Sequence, residues 1–343
     1  MPITINDVAK AAQVSRTAVS AVLGRYTSNT TVQIGARTRA RIIETAKKLG
    51  YSTNYLASGL RKGKTNTIGL ILESFGVEVT QQKAEGVEQT AYENGYRVFT
   101  CFHCNNLERE EADIRDLLAR RVDGLILYPF LDGRHEQIEK LVEAKFPLVT
   151  FYGDLSLPVN SVTVDNEYGA WLAVKHLEEI GRTQIAFLGG DLRYHSMQAR
   201  LAGWKRGCRE AGLDFEAMTF LGFETAEAEE AGYQGCHSLL ESGREFNAIA
   251  ASNDLIALGA YKALHDKGLR VPGDVAVIGF DDNRFIRYLP VPLTSIRQPA
   301  MEVGQKAFSL LLRQIQNPDL PPEKISLPPT LIVRQSTMVA TRP

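Results

Sequence analysis

The stretch TINDVAKAAQVSRTAVSAVLG, residues 4–24, contains two short helical patterns separated by a break. The first begins at Thr4, a residue type that favours the N-cap position, and repeats apolar side chains at Ile5, Val8 and Ala12. The polar and β-branched residues of the following triplet, AQV, interrupt that repeat. The spacing therefore predicts one short helix that ends before residue 13.

The second pattern begins at Ser15, which is a favourable N-cap, and places Ala18, Val19 and Val22 on one face. Two short helices joined by a tight turn form a helix-turn-helix, and the second helix of that motif lies in the major groove of DNA. The N-terminal segment is therefore predicted to bind DNA.

A third helix is predicted over ARTRARIIETAKKLGY, residues 36–51, with Gly50 as the residue that ends it. Its apolar stripe is expected to contain Ile42, Ile43, Ala46 and Leu49. The predicted head is therefore all-α.

Charge is distributed unevenly along the chain. Residues 1–64 carry eleven Lys or Arg and two acidic residues, a net charge of about +9, and the remainder carries about −10. A basic segment on an acidic body is typical of a surface that meets a polyanion. The alternative is a solvated basic tail, but the helical periodicity of this segment favours a folded DNA-binding head.

The chain lacks the sequence features of export and of membrane insertion. Its N-terminus has no apolar core of signal-peptide length, and no run of about 18 apolar residues occurs. Four cysteines in 343 residues do not make a disulfide framework. Cys101 and Cys104 form a CxxC without a second Cys/His pair, so we interpret them as structural or loop residues. These features predict a cytoplasmic protein with no membrane association, metal or cofactor.

From residue 65 onward, short β-branched runs alternate with longer amphipathic stretches. TIGLIL, residues 67–72, and VAVIGFDD, residues 275–282, are two of the runs, and EREEADIRDLLARR, residues 108–121, is one of the stretches. This alternation indicates parallel sheets with helices on both faces. About 280 residues of it are enough for two lobes.

The segment ITINDVAKAAQVSRTAVSAVLG…TRARIIETAKKLGYSTNYLASGLRKGKTNTIGLI resembles the N-terminus of the LacI/GalR family of bacterial transcriptional regulators. Three parts occur in the family's order: the helix-turn-helix, the LGY helix end and a hinge of the form N-x-x-A-x-x-L. The resemblance continues over essentially the whole chain. It implies an all-α head and an α/β body of the periplasmic-binding-protein-like type I fold, which has two doubly wound parallel-sheet lobes.

The resemblance also implies the domain organisation, with three crossovers between the lobes near residues 164, 297 and 328. The expected parts are the head (1–52), the hinge (53–65), the N-terminal effector-binding lobe (66–164 plus 298–327) and the C-terminal lobe (165–297 plus 328–343).

In the family, the first two residues after the cap of the second helix point at base edges, and here these are Arg16 and Thr17. Arginine can bind guanine O6 and N7 with two hydrogen bonds, and threonine can contact a thymine methyl group. The resemblance implies phosphate contacts for Thr4, Ser15 and Ser20, which position the head without reading sequence.

The head departs from the family in three places. Ala21 stands where the family usually has arginine, so either Arg16 carries more of the base recognition or Arg25 reaches the DNA. Gln13 stands where glycine is frequent, so it must adopt a conformation that glycine adopts more easily. The loop over residues 25–36 is longer than expected, and we interpret it as a tolerated insertion rather than as an added set of phosphate contacts.

The hinge over residues 53–64 becomes a short helix on operator DNA in the family. Asn54 and Ala57 match the family pattern, and Leu60 is expected to insert into the minor groove at the operator centre. Gly59 costs about 0.8–1.0 kcal/mol relative to alanine within a helix, so the coil-to-helix step should be less favourable here. The alternative is a flexible linker.

Ligands of open α/β sheets bind beyond the carboxyl ends of the strands. Arg200, Asn253 and Asp281 follow predicted strands, and the resemblance implies that they contact the effector. Such donors and acceptors suit sugar hydroxyls or a purine. The structural alternative for Arg200 and Asp281 is an ion pair within one lobe. Asp282 adjoins Asp281, so on a strand the two side chains should point to opposite faces.

The remaining pocket candidates depart from the family pattern. Glu73, Ser74 and Phe75 are expected to form an altered floor, and Tyr152 stands where many members have aspartate. Phe223 is a candidate stacking aromatic, and His103 and Tyr128 are further candidates near strand ends.

The sequence therefore predicts a DNA-binding repressor controlled by a small-molecule effector, most simply a sugar or a sugar derivative. We expect a homodimer on pseudo-palindromic operator DNA, because two-fold half-sites match a two-fold protein and no heptad helix for a tetramer follows. A solute-binding protein with the same lobes is disfavoured by the basic head and the lack of a signal sequence. An enzyme is disfavoured because no glycine-rich phosphate loop, nucleophile elbow or metal cluster is visible.

Overall fold

The computed structural model describes residues 3–23, 34–51, 64–130, 136–151, 157–215, 218–220 and 227–338. The first three helices pack together around Val8, Val19 and Ile42, which are fully buried. These helices are α1 (Ile5–Ala11), α2 (Arg16–Leu23) and α3 (Ala36–Leu49). The predicted helix-turn-helix with a third helix is confirmed.

The turn and the caps of the head follow the sequence expectations. The Asp7 carboxylate accepts hydrogen bonds from the backbone N–H and the hydroxyl of Thr4, at 2.8 and 2.7 Å. Ser15 Oγ accepts from the N–H of Ala18 at 3.1 Å, so it caps α2. Gln13 has a φ of 49°, in the left-handed region, as expected for a residue in a glycine position.

Helix α3 ends as predicted at Gly50, whose φ is 65°. Ile42 and Ala46 are buried on its inner face, and Leu49 is partly buried there. The expectation for Ile43 is wrong, because 49% of this residue is exposed. Positions 42, 46 and 49 lie four and three residues apart on one face, whereas position 43 is rotated by about 100° from position 42.

Six parallel strands form the first sheet of the described body. In spatial order they are β2 (Arg97–Phe102), β1 (Thr67–Leu72), β3 (Leu125–Leu127), β4 (Leu148–Thr150), β5 (Asn160–Val164) and β11 (Lys324–Leu327). The helices packed with this sheet are α4 (Glu78–Glu93), α5 (Leu107–Ala119), α6 (Glu136–Glu143) and α11 (Ala300–Gln316). Strand β1 is almost entirely apolar because both faces of this sheet are covered.

A second sheet has the same construction. In spatial order its described strands are β7 (Thr219–Phe220), β6 (Ile185–Leu188), β8 (Ala248–Ala251), β9 (Ala276–Asp281), β10 (Thr294–Arg297) and β12 (Thr330–Ile332). The first five are parallel, and β12 runs antiparallel to β10. The helices of this lobe are α7 (Asn166–Glu179), α8 (His195–Glu210), α9 (Ala228–Glu241) and α10 (Asp254–Asp266).

Glycines allow two helix pairs to pack backbone against backbone. In the first lobe, a Cβ atom on Gly304 of α11 would overlap the carbonyl oxygen of Lys83 in α4. In the second lobe, a Cβ atom on Gly203 of α8 would overlap the carbonyl oxygen of Glu167 in α7. These contacts hold α4 and α8 in fixed positions, and both helices line the space between the lobes.

The chain passes between the two sheets three times: between β5 and β6, between β10 and α11, and between β11 and β12. The predicted α/β architecture of two parallel-sheet lobes behind a helical head is confirmed. Among the described helices, none combines the length and the apolar composition needed to cross a bilayer.

Candidate functional site

A cavity of about 1120 Å³ lies between the two lobes. Ligand pockets are usually 300–1,000 Å³, so this space accommodates a small molecule with room for water. Its walls come from both sheets at the carboxyl ends of their strands, where ligands of α/β folds bind. The described residues contain no cluster of three or more His, Cys, Asp or Glu side chains that could hold a metal.

Arg200 of α8 lines the cavity from the second lobe and is 4% exposed. Its Nε donates to Asn166 Oδ1 at 2.9 Å, and its Nη1 donates to the carbonyl oxygen of Ser252 at 2.5 Å. Its Nη2 lies 3.4 Å from Asp281 Oδ1, and its guanidinium lies 3.7 Å above the ring of Phe280. The ion pair within one lobe is therefore present, and Arg200 holds a fixed orientation at the cavity wall.

Asp281 ends β9 with a φ of 113°, in the region that favours glycine. Its Oδ1 accepts a hydrogen bond of 2.6 Å from Gln298 Nε2, and Gln298 lies on the connection that leads into the first lobe. Burial raises the pKa of Asp281, and the neighbouring Arg200 guanidinium acts in the opposite direction. The strained backbone points this carboxylate into the cavity and toward the interlobe connection.

Asp282 points away from the cavity, as the sequence predicted for two adjacent strand residues. It is 4% exposed, and its carboxylate binds Arg297 Nε at 2.7 Å and Arg334 Nη2 at 2.5 Å. Asp254 is fully buried and accepts from Ser295 Oγ at 2.7 Å. Both carboxylates therefore bind other side chains of the second lobe rather than facing the cavity.

The side-chain oxygen of Asn253 accepts a hydrogen bond within the protein, whereas its NH2 group has no partner among the described residues. Its Oδ1 accepts from the backbone N–H of Ile256 at 2.8 Å and so caps α10. Within the described ranges its Nδ2 makes no hydrogen bond, and the residue lines the cavity. The amide group is therefore available to a ligand.

The first lobe contributes a different set of side chains. Glu73 and Ser74 line the cavity, and Glu73 accepts a hydrogen bond of 2.6 Å from Thr80 Oγ1. Tyr128 also lines the cavity, and burial raises the pKa of its hydroxyl. Glu73, Ser74 and Tyr128 thus lie on the cavity wall, and their contact with an effector stays a prediction.

Two first-lobe expectations are wrong. Phe75 does not line the cavity: it is 69% exposed, and its ring packs edge-on against Phe102 at 5.5 Å. His103 is buried outside the cavity, with Nε2 donating to the carbonyl oxygen of Tyr128 at 3.1 Å and Nδ1 accepting from the N–H of Asn105. Burial lowers the pKa of this imidazole, which lies in the core of the first lobe. Tyr152 and Phe223 lie outside the described residues.

Sequence reasoning missed many charged and polar cavity residues, among them Lys83, Asn166 and Gln298. Lys83 had a detectable signal. It lies four residues from both Val79 and Val87, which are buried, so a lysine occupies the apolar stripe of α4. Gln298 follows β10 in sequence, but its contact with Asp281 depends on the tertiary structure.

Five of the residues predicted to contact DNA are described in the head and are exposed. Arg16, Thr17 and Ser20 lie along α2, and Thr4 and Ser15 lie at the N-termini of α1 and α2.

Ala21 departs from this pattern. It is only 7% exposed, so it does not share the exposed face of Arg16 and Thr17. Arg25 and the hinge residues Asn54, Ala57 and Leu60 lie outside the described residues.

Residues 4–54 match the family described as bacterial regulatory proteins, lacI family, and residues 174–337 match a periplasmic binding protein-like domain. The HTH-type transcriptional repressor PurR of Aliivibrio fischeri (strain MJ11) is 34% identical over 340 residues, which are 98% of each chain. PurR of Photorhabdus laumondii is 33% identical over 345 residues, covering 98% of this chain and 97% of the relative.

Solved structures of similar fold span the same length. The lac repressor dimer bound to operator and the anti-inducer ONPF superposes with a TM-score of 0.84 at 29% identity, covering 99% of this chain and 100% of the other. The complex of the transcriptional regulator CelR with cellobiose gives a TM-score of 0.73 at 28% identity, covering 97% and 99%. With its helix-turn-helix head and two-lobe body, the chain belongs to the LacI family of bacterial regulatory proteins.

Proposed function

We propose that this chain is a transcriptional repressor that binds pseudo-palindromic operator DNA as a homodimer in the bacterial cytoplasm. A small molecule, a sugar or a sugar derivative, bound between the lobes sets its operator affinity. The observation that carries this proposal is the interlobe cavity, where Arg200, Asn253 and Asp281 offer donors and acceptors to one ligand. The lac repressor dimer bound to operator and the CelR–cellobiose complex support the same assignment. The relatives are repressors rather than enzymes.

Recognition of DNA is assigned to the exposed face of α2. Arg16 and Thr17 read base edges, and Thr4, Ser15 and Ser20 hold phosphates. A buried alanine at position 21 offers no hydrogen bond to a base, so Arg16 carries a larger share of the base recognition. Arg25 and the hinge residues Asn54, Ala57 and Leu60 are assigned to the DNA on the strength of the family resemblance.

Control by the ligand is assigned to the relative position of the lobes. Glu78, at the start of α4 in the first lobe, accepts from the backbone N–H of Arg284 in the second lobe at 2.8 Å and pairs with its side chain at 3.2 Å. Gln298 and Asp281 form another bond near the connections. A ligand that binds both cavity walls favours the relative position of the lobes in which these interlobe hydrogen bonds form. The ligand binds this lobe position more tightly than the other, and this difference in affinity is what changes the operator affinity.

The proposal is tested by selecting operator sequences from random DNA with the full chain and measuring Kd at fixed salt. A two-fold symmetric site is expected. Arg16→Ala should weaken binding to that site by about 1–3 kcal/mol, and it should relax specificity at one position of each half-site. Arg244→Ala, an exposed arginine of the body, serves as the control and should bind as the wild type does. Binding without sequence preference would refute the proposal.

A further inference from the structure

Lys83 is a lysine of the cavity wall whose ammonium group has no carboxylate partner among the described residues. Its side chain extends from α4 into the interlobe cavity. Among the residues the structure describes, no carboxylate lies within 4.0 Å of its Nζ, and Nζ makes no hydrogen bond. Exposed lysines commonly lack partners, but this one is half-buried inside a cavity, where leaving a charge unpaired is costly.

The ammonium group is held in place rather than free to reach solvent. Nζ lies 5.6 Å from the ring centroid of Tyr128 and 5.5 Å from that of Phe151. The helix that carries it is fixed, because Gly304 brings α11 against the carbonyl of Lys83 itself. The structure therefore presents a cation at a defined point of the first-lobe wall.

The other charged groups of the cavity with assigned contacts are already engaged. Arg193 pairs with Asp191 at 2.5 Å, and Arg200 pairs with Asp281. Glu73 accepts from Thr80, and Asp165 accepts from the N–H of Tyr168 at 2.9 Å, where it caps α7. Of the cations that line the cavity in the described chain, Lys83 is the one on the first-lobe wall, and unlike Arg193 and Arg200 it forms no ion pair with a carboxylate there.

We propose that the effector is an anion, a sugar acid or sugar phosphate whose carboxylate or phosphate pairs with Lys83 while its hydroxyl groups bind Arg200, Asn253 and Asp281. This inference rests on the proposed function and narrows its ligand class. A neutral sugar would accept a hydrogen bond from Lys83 but would bring no opposite charge into contact with it. An anion compensates it, and it joins the first-lobe wall to the second.

Electrostatics of the free protein agree with this arrangement. Burial lowers the pKa of Lys83, whereas the carboxylates of Glu73 and Asp281 raise it and the Arg200 guanidinium lowers it. Both side chains line the interlobe cavity, Lys83 from the first lobe and Arg200 from the second. An acidic group entering that cavity is attracted by Lys83, while Arg200, which is paired with Asp281, offers hydrogen-bond donors to the rest of the ligand.

The test measures the melting temperature and the ligand Kd of the full chain at constant ionic strength. The acidic probes are D-gluconate, D-galacturonate, D-glucose 6-phosphate and D-ribose 5-phosphate. The neutral probes are glucose, galactose and ribose. The variants are Lys83→Met, Lys83→Gln as a second version, and Lys140→Met, an exposed lysine outside the cavity, as the matched control.

We expect at least one acid to stabilise the wild type while its neutral parent does not. Both Lys83 variants should raise the Kd of that acid by about tenfold or more, and Lys140→Met should leave it unchanged. Without ligand, Lys83→Met should melt at the wild-type temperature or above, because it removes an uncompensated charge. Comparison of the two sugar acids with the two sugar phosphates shows which kind of anionic group the cavity prefers.

Three results would overturn the inference: a neutral sugar that binds wild type and Lys83→Met equally, acids that bind both proteins equally, or no stabilisation by any acid. A lower melting temperature for both ligand-free Lys83 variants would also overturn it, because Lys83 would then be a structural residue. Operator binding by the same preparations separates this failure from failure of the proposed function, which would appear as loss of sequence-specific DNA binding in the wild type.

Discussion

Glu110 in α5 is a buried carboxyl group whose ionisation should limit stability above neutral pH. The residue is 2% exposed, and one carboxylate oxygen accepts a hydrogen bond of 2.5 Å from the backbone N–H of Phe130. Burial raises its pKa to about 7, and this outweighs the Phe130 bond, which favours the ionised form. Replacement by glutamine keeps an oxygen that can accept this bond and removes the ionisation.

The direction of the pH dependence of stability follows from how tightly each state binds the proton of Glu110. The folded pKa of about 7 lies above the value of 4.5 for an unperturbed glutamic acid, so the folded chain holds the proton more tightly than the unfolded chain does. The contribution of Glu110 to stability is therefore present at low pH and is lost as the pH rises from about 4.5 to 7. A shift of this size corresponds to about 3 kcal/mol, of which roughly 2 to 3 kcal/mol falls between pH 5 and pH 8.

Urea unfolding of wild type and Glu110→Gln at several pH values between 5 and 8 measures this contribution. The free-energy difference between variant and wild type should increase in favour of the variant by about 2 to 3 kcal/mol as the pH rises. Glu139→Gln, an exposed glutamate of α6, is the control and should show no such trend. A difference between Glu110→Gln and wild type that does not change with pH would refute the argument from burial.

Three further predictions concern the site and its support. Arg200→Ala should abolish the stabilisation of the protein by its effector while operator binding persists, as measured by thermal shift and by DNA titration; a folded variant that no longer binds DNA would contradict the assignment. Gly304→Ala should lower the free energy of unfolding by about 1–3 kcal/mol because its Cβ overlaps the Lys83 carbonyl, whereas Gly76→Ala, in open space, should change it by less than about 0.5 kcal/mol. The fragment 65–343 should remain a folded, ligand-binding dimer by ultracentrifugation and thermal shift, and aggregation of this fragment would contradict the proposed boundary between head and body.

Most of the fold was predictable from local sequence patterns. The caps at Thr4 and Ser15, the left-handed turn at Gln13 and the helix end at Gly50 depend on neighbours within a few residues, and all four were predictable. The alternation of apolar runs with amphipathic stretches likewise predicted parallel sheets, because each strand and each helix must bury a particular set of its own side chains.

Side chains near strand ends were harder to place. Phe75 and Tyr128 both follow first-sheet strands, yet Tyr128 enters the cavity and Phe75 packs against Phe102 at the surface. Successive side chains of a strand point to opposite faces, so moving the strand end by one residue reverses the direction of the side chain that follows. The sequence pattern does not define the strand end to one residue. His103 shows the same limit, since its two ring nitrogens bind backbone groups from separate segments.

The sequence by itself determined the helical head, the repeated βα units and the presence of polar groups at strand ends, because these follow from periodicity, capping and composition over short distances. Only the tertiary structure decided which of those groups meet. Arg200, Asp281 and Gln298 come from different elements and converge because β9 and β10 are neighbours in the second sheet and Arg200 of α8 lies against β9. The uncompensated charge of Lys83 is likewise a property of the cavity, since pairing and burial depend on neighbours distant in the chain.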